Sequence, residues 1–259
     1  MKKILLIFLF SGCGCCLAQE AIETDRPDQT ECASVVQPGN VQLETGFLYI
    51  KDEIKNGARK TGMQAFNYGT SLWRIGVFGR AELRLEVGQY EKTRYRNTAG
   101  DHSIEGFSPF VIGTKIAVCE EKGGIPQTAF IGHLQLPFGD KKLVTKEEVL
   151  PSFCLSMAHT LRERFSLGYN FGMEWESGSS LPVYFYTGTV GADAGEKWEL
   201  FIESFGNFSG GSLPQTYFDM GAGFLPKKNI KLDISGGLAM NEHSADLFTS
   251  AGVSVRVPE

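Results

Sequence analysis

The sequence predicts an all-β fold: a transmembrane antiparallel up-and-down β-barrel of about 12 strands, with an N-terminal segment inside its lumen. Three observations support this prediction. Apolar and polar residues alternate with a period of two along much of the chain, which is the pattern of strands with two different faces. The links between these strands alternate between short and long, and the polar faces carry many charges. Outer-membrane barrels combine these features.

The first eighteen residues predict a secretory signal peptide. Met1-Lys2-Lys3 is basic, residues 4–10 are apolar, and Cys16 and Ala18 are small residues at the −3 and −1 positions, in the order that a signal peptide requires. The apolar run is too short to cross a bilayer as a helix. Cleavage after Ala18 leaves 259 − 18 = 241 residues. A lipoprotein signal is the alternative, because Phe10-Ser11-Gly12-Cys13 resembles a lipobox and would place a lipid on its cysteine.

Charge and motif content exclude several classes of function. The net charge of −5 becomes −5 − 2 = −7 when Lys2 and Lys3 leave with the signal, so the chain has no electrostatic reason to bind nucleic acid. The remaining cysteines, Cys32, Cys119 and Cys154, are odd in number and scattered. They therefore predict neither a disulfide framework nor a metal cluster, although one pair could oxidise. The sequence has no H-E-x-x-H, G-x-S-x-G or P-loop motif, so we expect no cofactor, no metal and no enzyme.

The alternating pattern recurs twelve times. In the first strand, Val41 and Leu43 share one face and Gln42 and Glu44 share the other. We predict strands at residues 40–50, 62–76, 81–90, 104–119, 126–137, 150–159, 164–175, 182–191, 197–206, 216–225, 229–238 and 247–257. The second and eighth of these show no clean face. A soluble sandwich or a pair of lipocalin-like barrels is the alternative, since alternation does not say which face is wet.

The lengths of the links favour the membrane barrel over the soluble alternatives. Even-numbered links are tight, as at 77–80 and 226–228, whereas odd-numbered links are longer, as at 51–61 and 91–103. Short periplasmic turns and longer outer loops give this alternation. We therefore divide the chain into a signal peptide at 1–18, an N-terminal plug segment at 19–39 and a barrel at 40–259.

A motif stands directly ahead of the first strand. Thr24 to Glu31 reads T-D-R-P-D-Q-T-E, residues 36–39 read V-Q-P-G, and Gln42 to Phe47 reads Q-L-E-T-G-F. The chain resembles the family named for a MetA pathway of phenol degradation, transporter-like outer-membrane proteins that open with T-D-R-P-D-x-T-E, V-x-P-G and Q-x-E-x-G-F. Further echoes, such as Leu136-Pro137-Phe138-Gly139, extend over the mature chain. One departure is the end at Val257-Pro258-Glu259, because such proteins usually end in an aromatic residue.

The resemblance implies a barrel in the outer membrane of a Gram-negative bacterium, with a transport role. Its partners would be outer-membrane lipids and a small-molecule solute. We expect passage of small, aromatic or hydrophobic compounds. A structural or surface-display barrel with a closed lumen is the first alternative, and a lipid-acting outer-membrane enzyme is the second.

The motif is too polar and too proline-bound to form a membrane strand. We expect Asp25, Arg26, Asp28 and Glu31 to enter the lumen from the periplasmic end, with Pro27 lowering the entropy lost when the segment becomes ordered. A free tail is the alternative interpretation of the same residues.

The polar faces of the strands define the predicted lumen wall. They carry Glu44, Arg74, Glu82, Arg84, Glu86, Lys115, His133, Gln135, Asn170, Glu174, Glu199, Glu203, Asp219, Lys231, Asp233 and Arg256. In a narrow barrel these charges pair, bind water or line a constricted pore. Acidic residues outnumber basic ones, so a conducting path should mildly favour cations. We expect Arg26 to pair with a lumen carboxylate such as Glu44, Glu82 or Glu203.

Overall fold

A computed structural model describes residues 21–56, 59–87, 89–97, 100–144, 146–210, 213–242 and 245–258. Within these ranges the chain forms fourteen strands and no helix. The described residues therefore include no helix that could span a membrane. The predicted signal peptide and Cys13 lie outside the described residues.

The strands follow one another along the chain, separated by turns and loops. They are β1 (Val41–Asn56), β2 (Arg59–Phe78), β3 (Ala81–Glu86), β4 (Tyr90–Asn97), β5 (Gly100–Phe107), β6 (Phe110–Cys119), β7 (Gln127–Leu136), β8 (Leu150–Arg162), β9 (Phe165–Trp175), β10 (Pro182–Asp193), β11 (Trp198–Ser209), β12 (Gln215–Lys227), β13 (Ile230–Ala239) and β14 (Leu247–Val257).

Twelve of these strands close into an antiparallel barrel, as predicted. The ring runs β1-β2-β3-β6 and then through β7 to β14 in chain order, and β14 pairs with β1 again. Closure leaves no open edge in the ring, so every barrel strand pairs with two other strands of the ring. We call the end of the barrel with the tight turns the turn end and the opposite end the loop end.

The remaining two strands, β4 and β5, form a hairpin on the half of β2 nearer the loop end. Tyr68 of β2 pairs with Tyr90 of β4, whereas Leu72, nearer the turn end of β2, pairs with Glu86 of β3. The loops predicted at 51–61 and 91–103 were therefore wrong, because β1, β2, β4 and β5 continue there as strands. These stretches lack apolar alternation and are held by cross-strand pairs, including ion pairs from Lys92 to Glu105 and from Arg96 to Asp101.

A change of register in β2 explains why this strand shows no clean face in the sequence. Gly69 adopts a φ of 67°, a left-handed conformation that glycine tolerates best. The β1–β2 pairing shifts here, so that Gly46 faces Thr70 while Phe47 faces Tyr68. The extra residue reverses the alternation of side chains between the two halves of β2.

The barrel is apolar outside and charged inside. Large side chains such as Phe171, Ile234 and Leu238 are exposed on the outer surface, whereas Arg74 and Lys115 have no exposed surface. This arrangement inverts that of a soluble barrel and suits a lipid surround, where strand closure satisfies the backbone and apolar side chains face hydrocarbon. The predicted assignment of faces, charged residues inward and apolar residues outward, is the one the fold shows.

Candidate functional site: the lumen segment

Residues 21–39, which we call the lumen segment, lie inside the barrel. Both ends of the segment are fixed at the turn end. The Ile22 amide donates to the carbonyl of Lys228 at 2.7 Å, and the Gly39 amide donates to that of Gly76 at 3.3 Å. Ile22 and Val36 are buried. The segment therefore enters and leaves at the same end, and its middle residues lie against the lumen wall.

Among the described residues, the lumen segment pairs with no strand, and side chains of the barrel wall accept the hydrogen bonds of its backbone amides instead. The amide of Asp25 donates to Glu44 at 3.0 Å, that of Gln29 to Glu203 at 2.7 Å, that of Glu31 to Asn170 at 2.7 Å and that of Val36 to Glu82 at 2.7 Å. A buried amide without an acceptor is costly. The wall acceptors thus fix the path of a backbone that makes no regular secondary structure.

A basic sector of the wall receives Asp25. Arg74, Arg84 and Lys115 lie on the neighbouring strands β2, β3 and β6, and the Asp25 carboxylate lies 2.7 Å from Arg84, 2.8 Å from Lys115 and 3.4 Å from Arg74. Burial raises the pKa of Asp25, but the attraction of Arg74, Lys115 and Arg84 outweighs it and holds this pKa well below its usual range. Asp25 is therefore an ionised anchor.

Three further carboxylates complete this network. Glu44 and Glu82 of the wall lie 3.0 Å and 2.8 Å from Arg74, and Glu31 of the lumen segment lies 2.8 Å from Arg84. Arg84 also donates to Nε2 of His133 at 2.9 Å. Burial raises the pKa of Glu31 to about 7, with Arg84 opposing the shift. The wall alone offers three cations to two carboxylates, so the segment supplies the missing negative charge.

Arg26 points to β13 and β14, which only β1 separates from the basic sector. Its Nη2 donates to Asp233 at 3.0 Å and to Ser250 at 2.8 Å. Arg26 thus pairs with a carboxylate of the predicted lumen wall, but the examples named for it, Glu44, Glu82 and Glu203, were wrong. Those three carboxylates accept bonds from Arg74 or from the segment backbone, and they are not available to Arg26.

Two glycines make room for the Arg26 guanidinium. Gly46 of β1 and Gly252 of β14 are register partners, and a Cβ added at either would lie 2.5 Å from a guanidinium nitrogen of Arg26. The guanidinium therefore lies close to the backbone of these two glycines, in space that a side chain would fill. Both glycines fall on the charged face of the predicted strands, but nothing in the sequence says that their bare backbone serves an arginine.

An acidic sector holds the next part of the segment. The Thr30 hydroxyl donates to Glu203 at 2.5 Å and lies 2.7 Å from the Thr187 hydroxyl. Asp28 faces the same sector: burial, Glu203 and Asp219 raise its pKa well above the usual range, and Lys231 opposes them. The structure thus places the basic and acidic sectors on different walls. Asp25 and Glu31 face the basic sector, whereas Thr30 and Asp28 face the acidic one.

The remaining predicted residues take less central places. Arg256 lies at the turn end, in a 190 Å³ cavity beside Glu23 and Gln42. Ser156, Thr187 and Ser250 bind the segment and were missed, because a small hydroxyl on an inward position carries no signal of its own.

Cys32, Cys119 and Cys154 are free thiols. No group of three metal-ligating side chains occurs within the described ranges.

Two cavities occupy the lumen on either side of the segment. The turn-end cavity measures about 640 Å³ and includes Thr24, Asp28 and Glu31 in its lining. The loop-end cavity measures about 320 Å³ and also includes Glu31, with His133 and Asn170 on its wall. The segment narrows the lumen between them.

A family model described as "Putative MetA-pathway of phenol degradation" matches residues 24–257. The chain belongs to this family. The family resemblance drawn from the motif at Thr24 to Glu31 is thereby confirmed. No curated protein matches the chain.

Solved structures of outer-membrane proteins share the fold of this family member. An outer-membrane channel from Pseudomonas putida F1 aligns with a TM-score of 0.63 and 13% identity, over 86% of this chain and 97% of that chain. The translocator domain of the autotransporter NalP from Neisseria meningitidis gives 0.57 and 8%, over 85% and 89%. The transport unit of the autotransporter AIDA-I from Escherichia coli gives 0.53 and 11%, over 85% and 91%. None of the three is described as an enzyme.

Proposed function

We propose that the protein is an outer-membrane channel for small solutes, in which the lumen segment forms a fixed constriction. The observation that carries this proposal is the pair of cavities, about 640 Å³ and 320 Å³, that lie on the two sides of the segment inside one closed barrel. We place the turn end in the periplasm, with the signal peptide removed after Ala18. The plug then comprises residues 19–39 and the barrel begins at residue 40.

The solute class that we propose is small compounds with an aromatic or hydrophobic part. Four aromatic side chains, Phe185, Tyr186, Phe205 and Tyr217, line the loop-end cavity. Such rings offer large apolar surface and stack on other rings. The description of the family, which refers to phenol degradation, agrees with this choice.

A closed structural barrel is the second candidate, and the ion-pair network favours it. Arg74, Arg84 and Lys115 are almost fully buried and joined to carboxylates of both the wall and the segment. Breaking such a network is costly, which would suit a permanently sealed lumen. We propose no enzymatic role, because His133 already accepts a hydrogen bond from Arg84 and is poorly placed to act as a base.

Conductance of the purified protein in a planar bilayer separates these candidates. The channel predicts discrete single-channel steps for the wild type and larger steps for a chain lacking residues 20–36. Absence of steps in the wild type, with steps in the deletion variant, would establish the sealed barrel. Release of fatty acid from labelled phospholipid would contradict the non-enzymatic assignment.

A further inference from the structure

The two lumen cavities meet at one residue of the lumen segment. Of the described residues that line these cavities, Glu31 alone lines both. Its side chain is 27% exposed, whereas that of Asp25, in the same network, is 6% exposed. Glu31 therefore marks the place where the two cavities adjoin.

The wall holds Glu31 firmly in this position. Its amide donates to Asn170 at 2.7 Å, and its carbonyl accepts from Ser156 at 2.5 Å and from Asn170 at 3.1 Å. Its carboxylate lies 2.8 Å from Arg84 and 3.5 Å from Lys115. Backbone and side chain are both fixed, so the carboxylate is a built part of the constriction.

Glu31 also covers the cations behind it. Arg84 and Lys115 line neither cavity, and the exposed fractions of their side chains are 1% and 0%. In the basic sector, the carboxylate of Glu31 is therefore the charge that a passing solute meets. Without it, two buried cations would face the path.

Carboxylates outnumber cations along the rest of both cavities. Carboxylates lining the loop-end cavity, besides Glu31, are Glu86 and Glu174, and those lining the turn-end cavity are Glu23, Asp28, Glu121, Asp193 and Glu199. Among the described lining residues the one lysine or arginine is Lys231, which lies 2.6 Å from Glu199. Rings of one sign in a narrow pore select ions of the opposite sign.

We propose that Glu31 is the specificity-determining residue of the solute path and that the path selects small cations, including ammonium compounds that carry an aromatic ring. This inference rests on the proposed channel function. The carboxylates attract the ammonium group, and the aromatic wall of the loop-end cavity contacts the ring and the cation. Carboxylate-bearing aromatic compounds of the same size are repelled.

The test measures charge selectivity as the reversal potential across a bilayer with a KCl gradient. At about pH 8, above the pKa of about 7 to which burial raises the Glu31 carboxyl, we expect the wild-type chain to prefer K⁺ over Cl⁻. Glu31→Gln should lower this permeability ratio by about threefold or more, since a unit charge is lost from a confined site. Glu31→Lys should invert the preference, and Glu31→Asp should keep it. Glu163→Gln, which changes an exposed carboxylate outside both cavities, is the control and should behave as wild type.

Vesicle swelling with benzylammonium chloride and with sodium benzoate provides a second readout. The wild-type chain should admit benzylammonium faster than benzoate, and Glu31→Gln should reduce the difference. An unchanged permeability ratio and unchanged swelling in Glu31→Gln would overturn the inference while leaving the channel in place. A wild-type chain that neither conducts nor admits solute would instead overturn the channel itself. Heat-dependent gel mobility shows that each variant is a folded barrel.

Discussion

Arg26 of the lumen segment donates to Asp233 of β13 at 3.0 Å, although 207 positions separate them in the chain. The contact lies beside Gly252, which is the register partner of both Asp233 and Gly46. The segment is thus joined to β13, β14 and β1 where two glycines leave room for a cation next to a buried carboxylate. Loss of either the cation or this room should loosen the segment.

Replacement of Arg26 by alanine should weaken the docking of the segment without unfolding the barrel. The Asp233 carboxylate has no exposed surface and the Arg26 side chain is 17% exposed, so loss of the partly exposed partner should cost about 1–3 kcal/mol. We expect higher single-channel conductance and faster cleavage of the segment by protease added at the turn end of the barrel. Equal conductance and equal protease sensitivity in Arg26→Ala and wild type would contradict this role.

A side chain on Gly252 should produce the same effect without touching a charge. A Cβ at this position would meet the Arg26 guanidinium at 2.5 Å, so Gly252→Val should displace Arg26 and raise protease cleavage of the segment. Gly79→Ala is the control, because a Cβ at Gly79 meets nothing within 4 Å. Both variants should keep the heat-dependent gel mobility of a closed barrel. Normal cleavage of the segment in Gly252→Val would show that the bare wall is not needed.

Removal of the Asp25 carboxylate should have a larger effect than loss of Arg26. Asp25 joins Arg74, Arg84 and Lys115, and loss of one partner from a buried ionic cluster costs about 3–5 kcal/mol. Asp25→Ala should therefore release the segment and bring conductance close to that of the chain lacking residues 20–36. Glu163→Ala removes an exposed carboxylate outside both cavities and should leave conductance unchanged. Similar conductance in Asp25→Ala and Glu163→Ala would rule out the anchor.

The fold could be predicted from the sequence because one face of a barrel strand contacts lipid and the other face contacts the lumen. The alternation at Val41 to Glu44 follows directly from lipid on one side and lumen on the other. The extended hairpin at β4 and β5 escaped prediction because neither of its faces is uniformly apolar. Its strands are held by pairs such as Lys92 with Glu105, which become visible only when the register is known.

The candidate site could be predicted as a set of residues but not as a set of pairs. Inward positions such as Arg84 and Lys115 follow from alternation, and the motif marks Asp25 and Arg26. Which carboxylate meets which cation depends on where an irregular segment turns inside the barrel. That path is fixed by uncharged groups, including Asn170 and Ser156, which no charge pattern distinguishes from other inward polar residues.

The charge selectivity of the channel should depend on pH through Glu31. Its pKa is raised to about 7 by burial, so the carboxylate is ionised above pH 7 and protonated below. Cation preference should therefore rise between about pH 6 and pH 8. The charged groups that face Glu31 are Arg84 of β3, Lys115 of β6, Arg74 of β2 and Asp25 of the segment. Glu86, Glu174 and His133 line the same cavity, so Glu31→Gln is the comparison that isolates Glu31.

Protonation of Glu31 and of Asp25 should affect the docking of the lumen segment in opposite directions. The raised pKa of Glu31 means that the docked segment holds a proton that the free segment releases, so docking weakens as pH rises from the ordinary value of 4.5 to about 7. The lowered pKa of Asp25 contributes stability that is present above its ordinary value of 3.8 and is lost as pH falls through its docked value. Protease cleavage of the segment should be slowest between these limits, near pH 5. A cleavage rate that does not change between pH 5 and pH 7.5 in wild type, measured with an acid-tolerant protease and corrected with a free peptide of residues 21–39, would contradict the assignment to Glu31.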